Sequence, residues 1–394
     1  MNAVAWTLVA LPVIVGGFAY VLYPGILWLA ARGRAYPVPQ PPSEWPIVTI
    51  AIPAYNEEGQ IRGAVEAVLA QDYPAPRRQI LVLSDASTDA TDSIVREYES
   101  QGVELLRMPV RGGKTAAENA SCALIRGSIV VNTDSSIRLH PSMVRELVLR
   151  MQDPRVGVAS SRDVSISARD ASANQAEAGY VGYEMKIRAL ETRAGGIVGA
   201  SGSGYAIRTE LHLIPIRADL SRDFSAALTA QKHGYKAVSV DEAVCYVPRT
   251  AALSHEYRRK VRTISRGMET LYASRELLNP EHHGVFAWKL ISHKVFRWLV
   301  PHSALLGFVG VLLLARQSWF AALLSVLGVA MVATALVVAK LPAGVRVPRV
   351  LSVIAFGLSA NAAVLNASWR FFVGHEDHIW EPTRRDTGTA VRAT

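Results

Sequence analysis

Residues 1–31 contain no aspartate, glutamate, lysine or arginine. Residues 4–31 are long enough to cross a bilayer, for which about 20 apolar residues suffice. No basic residue precedes this run, and it outlasts the apolar core of a secretory signal peptide, which is roughly 7–15 residues. The reading is therefore an uncleaved span. Cysteine is nearly absent too. Cys122 and Cys245 are the only two, and they lack metal-type spacing. That excludes a thiolate metal cluster and argues against a structural disulfide. A complete Walker phosphate loop is also missing, because Arg111-Gly112-Gly113-Lys114 supplies only half of one.

What is present is apolar bulk in blocks. Half of the 394 residues are hydrophobic, and the mean hydropathy is +0.18. Three more blocks follow late in the chain, at 299–315, 317–339 and 350–369. The first contains Pro301 and His302 and is the shortest. The formal net charge is +9. Its basic residues flank the blocks: Arg32 and Arg34 after the first, then Lys289, His293, Lys294 and Arg297 before the second. Positive charge beside a span marks the cytoplasmic side and suits anionic lipid. The charge thus reads as membrane orientation, and no nucleic acid partner is expected.

Pro37-Val38-Pro39-Gln40-Pro41-Pro42 forms a stiff spacer after the first span. Beyond it, strand and helix patterns alternate to about residue 247, which predicts a mainly parallel α/β sheet. Ile47-Val48-Thr49-Ile50-Ala51-Ile52 is the first strand, and Gln79-Ile80-Leu81-Val82-Leu83 the second. A third apolar run, Ile129-Val130-Val131, feeds into Asn132-Thr133-Asp134-Ser135-Ser136. Strands apolar on both faces belong to parallel sheets, and ligands sit beyond the carboxyl ends of such strands. Three strands end in polar loops, at Asn56 and Glu57, at Asp85 and at Asp134. Each alone suits a turn or a helix cap; together they mark a site.

These residues resemble the family 2 glycosyltransferases, inverting enzymes with a GT-A fold. The motifs are Ile52-Pro53-Ala54-Tyr55-Asn56-Glu57-Glu58, Ser84-Asp85-Ala86-Ser87-Thr88-Asp89, Arg111-Gly112-Gly113-Lys114 with Asn119, and Asn132-Thr133-Asp134. The chain as a whole resembles membrane-embedded polysaccharide synthases of the cellulose, chitin, hyaluronan and poly-N-acetylglucosamine type. The resemblance implies a UDP-sugar donor. Pro53, Ala54, Tyr55 and Glu57 would line base and ribose, Asp85 would bond the base, and Lys114 would lie near the diphosphate. Asp134 matches the first acid of the Asp-x-Asp metal motif, so a divalent cation, Mg²⁺ or Mn²⁺, is implied. The second acid is replaced by Ser136.

The glycine-rich segment Gly199-Ala200-Ser201-Gly202-Ser203-Gly204-Tyr205 resembles the acceptor-side loop of the family, which points to Ser201, Gly202, Ser203 and Gly204. Family members place an acidic pair before a later helix, with its second member as general base. Here the pair reads Arg222-Asp223, so Asp223 is the implied base and Asp219 a weaker rival. Arg259, Arg262 and Arg266 share one helix face by spacing. Residues 259–263, Arg-Lys-Val-Arg-Thr, resemble the Gln-x-x-Arg-Trp motif with Arg262 kept and the Trp replaced by Thr263. Arg259 and Arg262 are assigned to the diphosphate, for which a planar and always-charged donor is apt. The carboxylates of Asp85, Asp134 and Asp223 are expected to meet in one cleft.

The expected organisation is a span in 1–34, a linker in 35–46, a GT-A domain in 47–250, amphipathic interfacial helices in 251–298, about three spans in 299–372 and a tail in 373–394. The location expected is a cell membrane, the inner one in a bacterium, with the domain in the cytosol. Parity of spans places the tail outside, whereas Arg384 and Arg385 suit the inside, and the side stays open. The partners expected are the donor, a glycan or lipid acceptor, the bilayer and an oligomer or export partner. The first reading is synthesis of a β-linked polysaccharide. The loss of the Trp at position 263 favours a second, single addition to a lipid acceptor. A third, an inactive scaffold, is motivated by the departures at Ser136, Arg222, Arg259 and Thr263.

Overall fold

The computed structural model describes residues 2–37, 39–166, 172–248, 253–341, 345 and 347–374. Eight strands form one sheet: β1 (Val48–Ala54), β2 (Arg78–Ser84), β3 (Val103–Arg107), β4 (Ile129–Thr133), β5 (Arg138–Leu139), β6 (Val156–Ile166), β7 (Gly204–Arg208) and β8 (Lys236–Pro248), in the order β3-β2-β1-β4-β7-β6-β8-β5. The first half is parallel: β1 lies between β2 and β4, and β3 flanks β2. β7 then runs antiparallel to both β4 and β6, while β6 and β8 pair in parallel.

The apolar runs explain the core. On β1, Val48, Ile50, Ile52 and Ala54 point into one cluster with Met143, Val144 and Leu147. Ala51, on the other face, joins Leu81, Leu83, Val130 and Tyr205. Both faces of the sheet are thus covered, as a parallel sheet requires. Thr49 is the polar exception on β1. It is satisfied, because its hydroxyl donates to Gln79 Oε1 at 2.7 Å and accepts from the Gly127 N–H at 2.9 Å.

Among the described residues, four helices are long and apolar enough to cross a membrane: Asn2–Ala31, Pro280–Leu314, Trp319–Lys340 and Val350–Phe372. The second is one long run, with a kink at Gly284, where φ is 50°. It contains Lys289, His293 and Arg297, whose basic character suggested an interfacial stretch. These side chains turn inward instead. His293 Nδ1 and Nε2 lie 2.6 and 2.8 Å from Glu191 and Glu184, and Arg297 Nη1 lies 2.6 Å from Glu184. Tyr23 of the first helix also bonds Glu191. Both glutamates sit on helix Ser172–Arg193, so this network ties the apolar helices to the sheet domain. Burial would push the Glu184 and Glu191 carboxyls up, but their cationic partners hold both below the usual range.

The last apolar helix packs along helix Leu253–Ala273, with Lys260 Nζ 3.6 Å above the Phe356 ring and Asn366 donating to the Tyr257 hydroxyl at 2.9 Å. The helix that carries Arg259, Arg262 and Arg266 is therefore braced by an apolar one. The tail residues Arg384 and Arg385 lie outside the described residues.

Candidate active site

The carboxyl ends of the parallel strands open onto a cavity of about 300 Å³. Asp134 enters it directly after β4, and Asp223 from the first turn of helix Arg222–Lys232. Glu57, Lys114, Ser136, Ser201, Gly202, Ser203, Arg259, Arg262, Thr263 and Arg266 line the same space. Residues more than 200 positions apart therefore converge, which a chance set of turn and cap residues would not do.

The charges are organised. Lys114 opens helix Lys114–Ala120, and its ammonium sits 2.5 Å from Asp134 Oδ1. Burial alone would lower that ammonium. The Asp134 and Glu118 carboxylates outweigh it and hold Lys114 above the ordinary lysine range. Glu118, one turn further on, is fully buried, and among the described residues neither of its carboxylate oxygens has a hydrogen-bond partner. Arg222 Nε lies 3.7 Å away. Burial raises the Glu118 carboxyl, and Lys114 and Arg222 only partly pull it back. Arg222, the position where an acid was expected, instead bonds Asn119 Oδ1 at 2.5 Å and the His212 carbonyl at 2.8 Å. It pins the start of the Asp223 helix to the Lys114 helix.

Asp223 accepts the Ser221 hydroxyl and the Phe224 N–H, both on Oδ1. Its Oδ2 accepts no hydrogen bond among the described residues. The glycine-rich loop comes very close to it: a Cβ at Gly202 would lie 2.9 Å from Asp223 Oδ2. Glycine is needed there for approach. Asp219, the rival base, pairs with Arg217 and is not among the cavity-lining residues.

The basic helix contributes three arginines. Arg259 is held by Glu256 through Nε at 2.9 Å and Nη2 at 2.6 Å. Arg266 donates to the carbonyls of Asp219 at 3.0 Å and Ala218 at 2.6 Å, which fixes the loop leading to Asp223. Arg262 and Thr263 face the cavity between them.

Several expected positions stand elsewhere. Asp85 does not share the cleft with Asp134 and Asp223. Its carboxylate accepts the N–H groups of Gly112 and Gly113, each at 2.8 Å, and it is 2% exposed. The reason is the turn after β2, which aims Asp85 at the glycine pair and so orders the loop that delivers Lys114. Pro53 and Ala54 are buried strand residues, paired with Leu83 and Ser84. Gly204 begins β7 and is packed in the core, where a Cβ would lie 2.5 Å from Met143 Cε. Tyr55 stacks under Arg111, whose guanidinium carbon is 3.8 Å from the ring centroid.

One cavity residue was not signalled by any motif. Asp163, within the eleven-residue β6, lines the site and accepts the Ser201 hydroxyl at 2.6 Å. A cation fits at Asp134 only in a substrate-shared mode. Among the described residues no group of three or more His, Cys, Asp or Glu is gathered for a metal. The Asp134 carboxylate and Ser136 hydroxyl offer oxygen ligands, and Mg²⁺-type ions are commonly held by one or two carboxylates plus substrate phosphates.

His212 gives a pH test of the architecture beneath the site. It closes helix Thr209–His212, it is 2% exposed, and among the described residues both ring nitrogens lack hydrogen-bond partners. Burial, with the Arg222 guanidinium adding to it, pushes its pKa down to about 3. The folded ring therefore stays neutral, while the unfolded one takes a proton near pH 6.5. Stability from this group is complete above that value and falls as pH drops toward 3, by about 2 kcal/mol at pH 5. Melting of the detergent-solubilised protein is expected to show this slope between pH 7.5 and 5, and His212→Leu to flatten it. An equal slope in both proteins would exclude His212 as the source.

Residues 49–212 match the family model described as glycosyl transferase family 2. Asp223 and the basic helix lie beyond that match. An N-acetylglucosaminyltransferase of Mesorhizobium japonicum is 34% identical over 125 residues, 30% of this chain and 29% of that protein. A beta-monoglucosyldiacylglycerol synthase of Nostoc sp. is 25% identical over 169 residues, 42% of this chain and 36% of that one. The matched segment thus spans about a third of these curated relatives. Among solved structures, the mannosyltransferase PcManGT of Pyrobaculum calidifontis, in complex with GDP-Man and Mn²⁺, superposes with a TM-score of 0.72 at 22% identity, over 94% of this chain and 100% of that one. The similarity extends through the apolar helices and shows a common fold. Residues 49–212 therefore match glycosyl transferase family 2, and the sheet domain has the GT-A fold.

Proposed function

We propose that this chain is a membrane-integrated, inverting glycosyltransferase that moves one sugar from a nucleotide-diphosphate donor to a hydroxyl of a lipid-held acceptor. The observation that carries this is the joint presence of Asp134, Asp223 and the Lys114/Arg262 cations in one cavity. In the reaction, an acceptor oxygen forms a bond to the anomeric carbon as the bond from that carbon to the diphosphate oxygen breaks. The acceptor proton passes to Asp223 Oδ2, and the diphosphate departs as the nucleotide. Lys114, Arg259 and Arg262 neutralise the charge that develops on it. Asp134, with Ser136, would hold a divalent cation, which supplies further charge neutralisation at the diphosphate. The Mn²⁺ in the Pyrobaculum neighbour supports that reading and leaves the ion open.

The four apolar helices support placement in a membrane with the sheet domain on the cytosolic side. Two observations favour a lipid acceptor. Thr263 leaves the cavity without the aromatic platform expected of a processive enzyme. The helix lining the cavity is also braced by an apolar one, which brings the site close to the bilayer. Synthesis of a β-linked polysaccharide, with an oligomer or export partner, is the second reading, supported by the apolar helices beside the sheet domain.

The test is a nucleotide-release screen of the full chain in nanodiscs, with UDP-glucose, UDP-N-acetylglucosamine and GDP-mannose, each with Mn²⁺ or with EDTA. One donor is expected to release nucleotide in a Mn²⁺-dependent way and to yield one glycolipid. A polymer ladder would replace the lipid reading with the polysaccharide one. No release from any donor would overturn transfer itself.

A further inference from the structure

The loop of residues 199–203 is fastened at several points, and Asp163 is the centre of the fastening. Asp163 Oδ2 accepts hydroxyls from Ser201 at 2.6 Å and Ser203 at 3.2 Å, and Oδ1 accepts the Ser161 hydroxyl at 3.3 Å. The loop backbone is tied as well. The Ser201 N–H reaches Ser160 Oγ at 2.8 Å, Arg188 holds the Gly199 carbonyl at 2.8 Å, and the Thr133 hydroxyl donates to the Ser203 carbonyl at 2.8 Å. The loop so held connects Thr133, the neighbour of Asp134, to Gly202 against Asp223.

Two features set Asp163 apart from ordinary scaffolding. First, among the described residues it has no cationic partner, although it lies in the sheet beside buried Cys245. Asp163 is half-buried and lines the cavity, so its carboxylate faces the site without an opposing charge at ion-pair distance. Secondly, an ionised carboxylate can only accept hydrogen bonds. Each serine has one hydroxyl proton, so Ser201 and Ser203 must both spend theirs on Asp163. Ser201 Oγ also accepts the Ser203 N–H at 3.2 Å, so one of its lone pairs and both of those on Ser203 Oγ remain to face the cavity, which both serines line.

We infer that Asp163 is a positioning residue that fixes the polarity of the acceptor subsite: it turns the Ser201 and Ser203 hydroxyl protons inward, so that these two hydroxyls face the cavity as acceptors and select an acceptor that donates a hydrogen bond from its hydroxyl. The inference rests on the transferase reading above. Asp163 itself need not touch the sugar.

The variant is Asp163→Asn, which keeps the shape and replaces one acceptor oxygen by a donor. The full chain in nanodiscs would be assayed with the donor found in the screen, with diacylglycerol and dodecyl glucoside as acceptor probes. UDP and GDP affinity would be measured separately. Expected are nucleotide affinity within twofold of wild type, turnover at least tenfold lower through the acceptor KM or kcat, and no further loss when Ser201→Ala and Ser203→Ala are added to Asp163→Asn. Hydrogen exchange at residues 201–204 is expected to quicken in Asp163→Asn. Wild-type turnover, an equal loss of nucleotide affinity, additivity with the serine variants or unchanged exchange would each overturn the assignment. If the wild-type chain transfers no sugar at all, the transferase reading falls, while the exchange measurement still decides whether Asp163 holds the loop.

Discussion

Asp223→Asn slows sugar transfer by about 10²- to 10⁴-fold, the range that a positioned general base contributes. Nucleotide affinity stays near that of the parent protein. The geometry gives three reasons. The carboxylate is unequally used: Oδ1 takes the Ser221 hydroxyl and the Phe224 N–H, and Oδ2 takes neither. One oxygen is therefore committed to orientation and the other is available to a proton. The residue sits in the first turn of helix Arg222–Lys232, which fixes its carboxylate at the cavity wall. Lastly, the amide is nearly isosteric, so the close approach of Gly202 survives. Initial rates of nucleotide release, with UDP or GDP binding measured in parallel, check this outcome. Asp219→Asn serves as the contrast. Asp219 is engaged by Arg217 and does not line the cavity, so its loss is expected to alter the rate less than twofold. A rate within tenfold of wild type in Asp223→Asn would remove it from the role of base.

Much of this site is legible in the sequence because parallel strands announce themselves. Val48 to Ile52 and Ile129 to Val131 are apolar on both faces, so the residue after each strand falls at one edge of the sheet. Glu57 and Asp134 were reachable that way. Asp85 was placed at the correct edge, yet its direction depends on a loop 27 residues later, and Gly112 and Gly113 capture it. No local pattern carries that information. Asp163 was missed for a related reason. It occurs within a long strand, without a motif, and becomes a site residue only because β7 inserts between β4 and β6 and brings the Ser201 loop over it. The reading of Lys289, His293 and Arg297 as interfacial also had a physical source. Exposed and internally paired cations look alike in one dimension, and the pairing glutamates lie about 100 residues earlier.

Asp134→Asn is expected to lower turnover by at least 10²-fold and to abolish the difference between Mn²⁺ and EDTA. Asp134 is the sole carboxylate of its motif, since Ser136 occupies the second acidic position. The protein thus supplies one anionic oxygen pair, and the donor diphosphate must complete any cation shell. The same carboxylate anchors the Lys114 ammonium at 2.5 Å. Removing its charge has two consequences that can be separated. Divalent-cation dependence goes, because the amide oxygen is a far weaker ligand for a hard cation. Lys114 is also released, and the Asp134 part of the attraction that holds its charge is lost, leaving Glu118 and Asp223 as its anionic support. Lys114→Met tests the second consequence alone: it is expected to weaken nucleotide binding while keeping a response to Mn²⁺. If Asp134→Asn retained that response, the cation would have to bind through other oxygens of the cavity. The single-carboxylate site proposed at the end of β4 would then be wrong.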